Sequence, residues 1–119
     1  MKEEIPFLAL RIAGTKFRCT KDEVRQFVSP GDFVKLEREP KNEFDSNAIA
    51  CYLGVRHVGY VPAAVAKYYA PLLDVGLELA GRVLSTQPDL LIINMQLVWV
   101  KEDPFDPEEE FVLNESEED

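Results

Sequence analysis

Residue types that could catalyse a reaction are sparse in this sequence. Its single histidine, His57, lies in the strand-like stretch VRHVGY with no nucleophile motif beside it. The two cysteines and the histidine lack the spacing of a metal site. The six glycines are scattered singly, so there is no glycine-rich phosphate loop. Acids such as Glu37 and Glu39 share one face of a predicted strand and are typical of a solvated surface. The sequence therefore predicts a binding module rather than an enzyme, without a metal or another cofactor.

The segment EREPKNEFDSNAI, residues 37–49, carries the clearest signal for ligand binding. It places an aromatic residue, Phe44, beside an acid, Asp45, in a polar loop between two predicted strands. This pair could recognise a ligand by stacking and hydrogen bonding. The same residues also fit a structural role, in which Phe44 closes one end of a barrel while Asp45 and Asn47 cap backbone N–H groups of the loop. The residue types alone leave both interpretations open.

Alternating apolar residues predict the strands that would position this loop. Strands are predicted at residues 7–13, 33–38, 47–53, 55–61, 77–84 and 90–100, with a possible short return strand at 15–18. A helical turn could cover residues 21–28 with Thr20 as its N-cap. A second helix is expected from Pro62 to Gly76, kinked or divided at Pro71. Short strands at this spacing predict a small closed or nearly closed barrel of about six strands with one or two short helices.

The phase of these elements also predicts a core. The residues expected to be buried are Leu10, Ile12, Ile49, Val58, Leu72 and Leu97. Cys19 and Cys51 are expected to be reduced, apolar residues, because nothing at the start of the chain resembles a secretory signal. No apolar run approaches the ~18–20 residues that a membrane-spanning helix needs. We therefore expect a cytoplasmic protein with no membrane partner, of undetermined oligomeric state.

The net charge of −9 is distributed unevenly along the chain. Residues 102–119 hold ten acids and no base, whereas residues 1–101 hold 13 bases and 12 acids. We therefore predict a folded domain over residues 1–101 and a disordered acidic tail over residues 102–119, where acids and prolines disfavour a packed core. The near-neutral folded part remains compatible with a polyanionic ligand.

Two motifs in this chain resemble those of the HIRAN domain family, in the same order and at matching spacing. The first is REPKNEFDSNAI at residues 38–49, and the second is VGYVP at residues 58–62, ahead of a helix that ends in YAPLLD. The resemblance extends over about residues 7–100. It implies a small OB-like β-barrel that binds single-stranded DNA at a free 3′ end.

The resemblance also implies which residues would meet the nucleic acid. Phe44 would stack on a base, Asp45 would accept a hydrogen bond from the terminal 3′-hydroxyl, and Asn42 and Asn47 would shape the loop. Residues 16–18, after the first strand, would contact the bound strand. The complete set of candidate nucleic-acid-binding residues is Phe44, Asp45, Asn42, Asn47, Lys16, Phe17, Arg18 and Tyr60.

The predicted function is a module that binds nucleic-acid ends and prefers single-stranded DNA with a free 3′-hydroxyl, in DNA repair, replication or defence. Stacking on an aromatic ring would tolerate any base, because every base has a π-face. The alternative is a protein–protein interaction module that has lost DNA binding and whose acidic tail engages a basic protein partner. The residues alone do not distinguish DNA from RNA.

Overall fold

The structure, a computed structural model, describes residues 2–102 as a mainly β fold with two α-helices. The strands are β1 (Lys2–Arg11), β2 (Phe33–Arg38), β3 (Ile49–Leu53), β4 (Arg56–Tyr60), β5 (Leu79–Gln87) and β6 (Ile92–Glu102). The helices are α1 (Lys21–Phe27) and α2 (Ala63–Asp74), and short 3₁₀ turns lie at Thr15–Phe17 and Pro88–Leu90. All strand pairs are antiparallel, in the order β1-β6-β5-β2-β3-β4. The predicted mainly β, OB-like fold is confirmed.

The sheet curls towards a barrel without closing. Just after β1, the N–H and C=O groups of Ala13 bond Tyr60 of β4 at 2.8 and 2.9 Å, which links the two edges of the sheet by one isolated bridge. Gly59 allows this close approach, since its φ is 145° and a Cβ there would lie 2.4 Å from the Ala13 carbonyl oxygen. This bridge brings the end of β1 to the end of β4.

Apolar side chains from both helices and from β2 to β6 form the core. The largest fully buried ones are Ile49, Ile93, Met95, Leu97, Val24, Val34, Val58 and Cys51. Of the six predicted core residues, Ile12, Ile49, Val58 and Leu97 are buried, and Leu10 is partly buried. The prediction for Leu72 was wrong, because this side chain is 38% exposed.

The helix α2 contacts the core through small residues, which explains the error at Leu72. Ala66 and Ala70 are its fully buried positions, and Tyr69 and Leu73 are half-buried beside them. These residues follow the spacing of one helical face, so Leu72 lies towards solvent. The helix is not divided at Pro71. It ends where Gly76 adopts a φ of 98°, with hydrogen bonds typical of a Schellman motif.

The predicted return strand at residues 15–18 was also wrong. Gly14 adopts a left-handed conformation, with a φ of 76°, and starts a 3₁₀ turn. The N–H groups of Phe17, Arg18 and Cys19 bond carbonyls within this segment at 2.9–3.0 Å, which leaves none of them for strand pairing. The predicted N-cap of α1 is confirmed, since Thr20 forms a reciprocal capping box with Glu23.

The strand β6 ends at Glu102, which is the first residue of the predicted acidic tail. The rest of the predicted acidic tail, residues 103–119, lies outside the described residues. Both cysteines are buried free thiols, as expected, and burial raises the pKa of Cys51 to about 12. Within residues 2–102, neither helix is long and apolar enough to cross a membrane.

Candidate nucleic-acid interface

Arg38 anchors the loop between β2 and β3, residues 39–48, through hydrogen bonds. Its side chain is only 14% exposed, and its guanidinium donates to the backbone oxygens of Ala48 at 2.7 Å and Ser46 at 3.0 Å. The same group donates to both carboxylate oxygens of Asp74 at the end of α2, at 2.9 and 3.2 Å. One side chain therefore fixes the far side of the loop to the strand and to the helix.

Side chains within the loop satisfy the loop's own backbone. The Asn42 Oδ1 atom accepts the N–H groups of Phe44 and Asp45 at 2.8 and 3.1 Å. Asp45 Oδ1 accepts the N–H of Asn47 at 2.8 Å. The predicted capping role is thus confirmed for Asp45. It was wrong for Asn47, whose side chain makes no hydrogen bond within the described part of the chain. Asn42 instead caps the N–H groups of Phe44 and Asp45.

The ring of Phe44 projects into solvent, with 93% of the residue exposed. The structural interpretation, in which Phe44 closes the end of the barrel, was therefore wrong. An aromatic side chain this exposed contributes little to folding, because it buries almost no apolar surface. Its position on a hydrogen-bonded loop leaves the ring available to a ligand.

Glu39 connects this loop to β4. Its Oε1 atom accepts hydrogen bonds from Asn42 Nδ2 and from the Tyr60 hydroxyl, both at 3.0 Å. The bond from Asn42, with help from Tyr60, lowers the pKa of Glu39. Burial, reinforced by the Glu39 carboxylate, raises the pKa of Tyr60. Both shifts keep Glu39 ionised and Tyr60 protonated at neutral pH.

Five of the eight predicted binding residues line one pocket of about 390 Å³. Its predicted lining residues are Arg18, Asn42, Phe44, Asp45 and Tyr60. Ala13, Ala48, Val61 and Ala63 complete the wall. The guanidinium of Arg18 lies 5.8 Å from the centroid of the Tyr60 ring, within the range of a cation–π contact. Lys16, Phe17 and Asn47 lie outside this lining.

Not every basic side chain in the described part of the chain is held in an ion pair. The ion pairs within residues 2–102 include the basic side chains of Lys2, Arg25, Lys35, Arg38, Arg56 and Arg82. Lys16 and Arg18 form no ion pair with any described residue and instead contact the rings of Phe17 and Tyr60. Phe17 is 78% exposed. Residues 16–18 therefore offer two cations and one aromatic ring, and Arg18 is the one of them that lines the pocket.

His57 packs against Tyr60 and does not line the pocket. Its ring stacks on Tyr52 at 4.8 Å and meets the edge of Tyr60 at 4.9 Å. Burial and the nearby Arg18 charge lower the pKa of His57. No group of three or more His, Cys, Asp or Glu residues within 2–102 is arranged to hold a metal ion.

The residues that hold the site in place were not predicted from the sequence. Arg38 and Glu39 belong to the REP motif, but their contacts depend on Asp74 and Tyr60, which lie 36 and 21 residues further along the chain. The small residues of the pocket wall, such as Ala13 and Ala63, were not predicted to line a binding site. No local pattern of the sequence indicates the Glu39–Tyr60 contact, because β3 lies between β2, which Glu39 follows, and β4, which holds Tyr60.

The chain matches the model of the HIRAN domain over residues 7–102. Among solved structures, a protein from Lactobacillus plantarum is 22% identical, with a TM-score of 0.77 over 86% of this chain and 100% of that one. The HIRAN domain of human HLTF is 20% identical, with a TM-score of 0.66 over 84% of this chain and 81% of that one. No curated protein matches the chain.

A third similar structure is the HLTF HIRAN domain in its DNA-bound conformation. It is 19% identical, with a TM-score of 0.56 over 85% of this chain and 81% of that one. At these identities the structural comparisons establish the fold. The match to the family model extends to the end of β6 and covers both motifs and the whole pocket.

Proposed function

The chain belongs to the HIRAN domain family, and from this premise we propose that it binds single-stranded DNA and prefers a free 3′-hydroxyl end. The observation that carries the proposal is the pocket in which Phe44, Asp45 and Arg18 meet. An exposed ring, a carboxylate and an unpaired guanidinium match the base, the hydroxyl and the phosphate of a terminal nucleotide. The DNA-bound conformation of the similar HLTF domain supports DNA as the ligand.

Phe44 is proposed to stack on the terminal base. Base–aromatic stacking contributes about 1–3 kcal/mol per base and tolerates any base. The loop already holds the backbone of Phe44 through Asn42, so little further ordering is needed when the base arrives. Binding would bury a ring that is almost fully exposed in the free protein.

Asp45 is proposed to select the end of the strand. One of its oxygens caps Asn47, and no described residue donates to the other, which leaves an acceptor for a hydroxyl. A phosphate at the same position would meet a like charge, which is unfavourable. This arrangement therefore favours a strand that ends in a hydroxyl over one that ends in a phosphate.

Arg18 and Lys16 are proposed to contact the phosphates that precede the end. Each phosphate neutralised by a basic side chain releases counterions and makes the affinity depend on salt. With two unpaired cations beside the pocket, we expect a shallow salt dependence compared with proteins that make many phosphate contacts. The proposed module acts by binding, and no catalytic role is assigned to it.

The test is a fluorescence anisotropy titration of the full chain at low salt, with short single strands that end in a 3′-hydroxyl or a 3′-phosphate. The hydroxyl strand is expected to bind more tightly. Phe44→Ala should weaken that binding by roughly 5- to 150-fold, the equivalent of one lost stack. Tyr68→Ala, which removes an exposed aromatic residue of α2 outside the pocket lining, should bind like the parent.

Asp45→Asn is the matched variant for end selection. Asparagine can still accept the N–H of Asn47 through its amide oxygen, but it cannot offer the second carboxylate oxygen. We expect this variant to lose the preference for hydroxyl over phosphate while circular dichroism shows an intact fold. Unchanged affinity in folded Phe44→Ala and Asp45→Asn would contradict the assigned site.

Absence of oligonucleotide binding by the parent chain would instead favour the protein–protein interaction module predicted as the alternative. Its proposed contact is the acidic tail, residues 102–119, with a basic protein partner. Two predictions are untested: a cellular role in DNA repair, replication or defence, and a cytoplasmic location.

A further inference from the structure

The polar groups of the pocket are mostly hydrogen-bond acceptors. Glu39 is a carboxylate and has no proton to give, so the hydrogen bond from the Tyr60 hydroxyl uses the only proton of that phenol. The Tyr60 oxygen can then only accept a further hydrogen bond. The environment that raises the pKa of Tyr60 keeps the phenol in this protonated form.

The other pocket groups extend this pattern. Both acceptor positions of the Asn42 carbonyl are occupied by the N–H groups of Phe44 and Asp45, and one amide hydrogen goes to Glu39. Asp45 keeps one carboxylate oxygen without a described donor. Two side-chain acceptors, on Asp45 and Tyr60, therefore remain for a ligand, and the principal side-chain donor of the lining is the guanidinium of Arg18.

These two acceptors belong to one connected wall. Tyr60 and Asn42 donate to the same oxygen of Glu39, so the Tyr60 hydroxyl lies no more than about 6 Å from the Asn42 amide. The amide oxygen of Asn42 in turn holds the backbone N–H of Asp45. All three of Asn42, Asp45 and Tyr60 line the same pocket, whose volume falls in the range of small-ligand sites, roughly 300–1,000 Å³.

A terminal deoxyribose offers one hydroxyl to these acceptors, whereas a terminal ribose offers two neighbouring ones. We propose that the pocket recognises the 2′,3′-diol of a 3′-terminal ribonucleotide, with Asp45 accepting from one hydroxyl and Tyr60 from the other. This inference rests on the proposed end-binding function and adds the class of sugar that the site favours. The 2′-hydroxyl is the group by which a protein can distinguish RNA from DNA.

The experiment compares DNA strands that are identical except for the last sugar. The terminal nucleotide carries deoxyribose, ribose, 2′-fluoro-deoxyribose or deoxyribose with a 3′-phosphate. The 2′-fluoro sugar keeps a ribose-like pucker and size but has no proton to donate, so it separates hydrogen bonding from sugar shape. We expect the ribose end to bind about fivefold more tightly than the deoxyribose end, as one added hydrogen bond would give. The 2′-fluoro end should show no such gain.

The ratio of ribose to deoxyribose affinity then tests Tyr60 itself. Tyr60→Phe removes only the hydroxyl, so the ratio should fall to about one, whatever happens to the absolute affinity. Tyr52→Phe is the matched control, because Tyr52 stacks on the same histidine but does not line the pocket, and its ratio should equal that of the parent. Circular dichroism checks that both variants fold.

Three failures can be told apart. Equal binding of the ribose, 2′-fluoro and deoxyribose ends, with the 3′-phosphate end still rejected, overturns the ribose inference and leaves the proposed function standing. Binding of none of the strands overturns both. A ribose advantage that survives in folded Tyr60→Phe overturns the assignment of the second hydroxyl to Tyr60.

Discussion

Replacing Arg38 by methionine should destabilise the protein by about 2–4 kcal/mol. Methionine keeps an apolar stem of similar length but removes two hydrogen bonds to loop carbonyls and the bidentate contact with Asp74. A hydrogen bond from a charged group contributes about 1.5–3 kcal/mol. The simple sum exceeds our figure, because the Ala48 carbonyl still accepts the N–H of Glu39 and the half-exposed carboxylate of Asp74 can return to water.

Urea denaturation followed by circular dichroism measures this loss. Lys35→Met is the matched control from the same strand, since Lys35 is 64% exposed and its contact with Glu37 spans 3.5 Å. An exposed pair of this kind contributes about 0–1 kcal/mol, so the control should stay close to the parent. If Arg38→Met loses less than about 1 kcal/mol, relative to the control, Arg38 does not anchor the loop and the reasoning fails.

Three further predictions concern the fold. Leu97→Ala should cost about 2–5 kcal/mol of unfolding free energy because its side chain is fully buried, whereas Leu72→Ala, at a 38% exposed position, should cost about 1 kcal/mol, both measured in urea. Gly59→Ala should cost about 3 kcal/mol or more, or fail to fold, because its Cβ would meet a backbone oxygen at 2.4 Å. Gly54→Ala, at a φ of 61° with open space around it, should cost about 1–2 kcal/mol in thermal melts. Because the pKa of His57 is lowered in the folded state, His57 becomes protonated at a higher pH in the unfolded chain, near pH 6.5, than in the folded protein. The unfolding free energy should therefore decrease from pH 6.5 towards the folded-state pKa, and His57→Phe should flatten that slope in urea titrations.

Local patterns predicted most of the fold because they act over a few residues. Alternation placed all six strands within a few residues of their observed bounds, apart from β1, which begins five residues earlier than predicted. The N-cap of α1 was predictable because Thr20 and Glu23 bond within one turn. The predictions were wrong where contacts with residues distant in the sequence determine the local structure or the burial of a side chain. Ala66 and Ala70 of α2 are buried, because a small side chain allows the helix to approach the core closely. An alanine is common on both buried and exposed helix faces, so its residue type does not predict its burial.

The candidate site also has features that local patterns predicted and features that depend on distant contacts. The two motifs indicated four residues that do line one pocket, namely Asn42, Phe44, Asp45 and Tyr60. Arg18, predicted from the segment after the first strand, is the fifth, and the bridge between Ala13 and Tyr60 joins the end of β1 to the second motif. Three predicted residues, Lys16, Phe17 and Asn47, lie outside the lining. No local pattern could have shown that Glu39 is shared by two donors.

The arrangement separates the groups that hold the loop from those that would hold a ligand. The polar groups of Arg38, Glu39 and Asn42 are directed to protein partners, whereas the ring of Phe44 and one oxygen of Asp45 have none among the described residues. A loop fixed in this way has little conformational entropy left to lose on binding, so a few contacts can suffice for affinity. It also follows that changes at Phe44 should affect binding with little effect on folding. Changes at Arg38 should affect both.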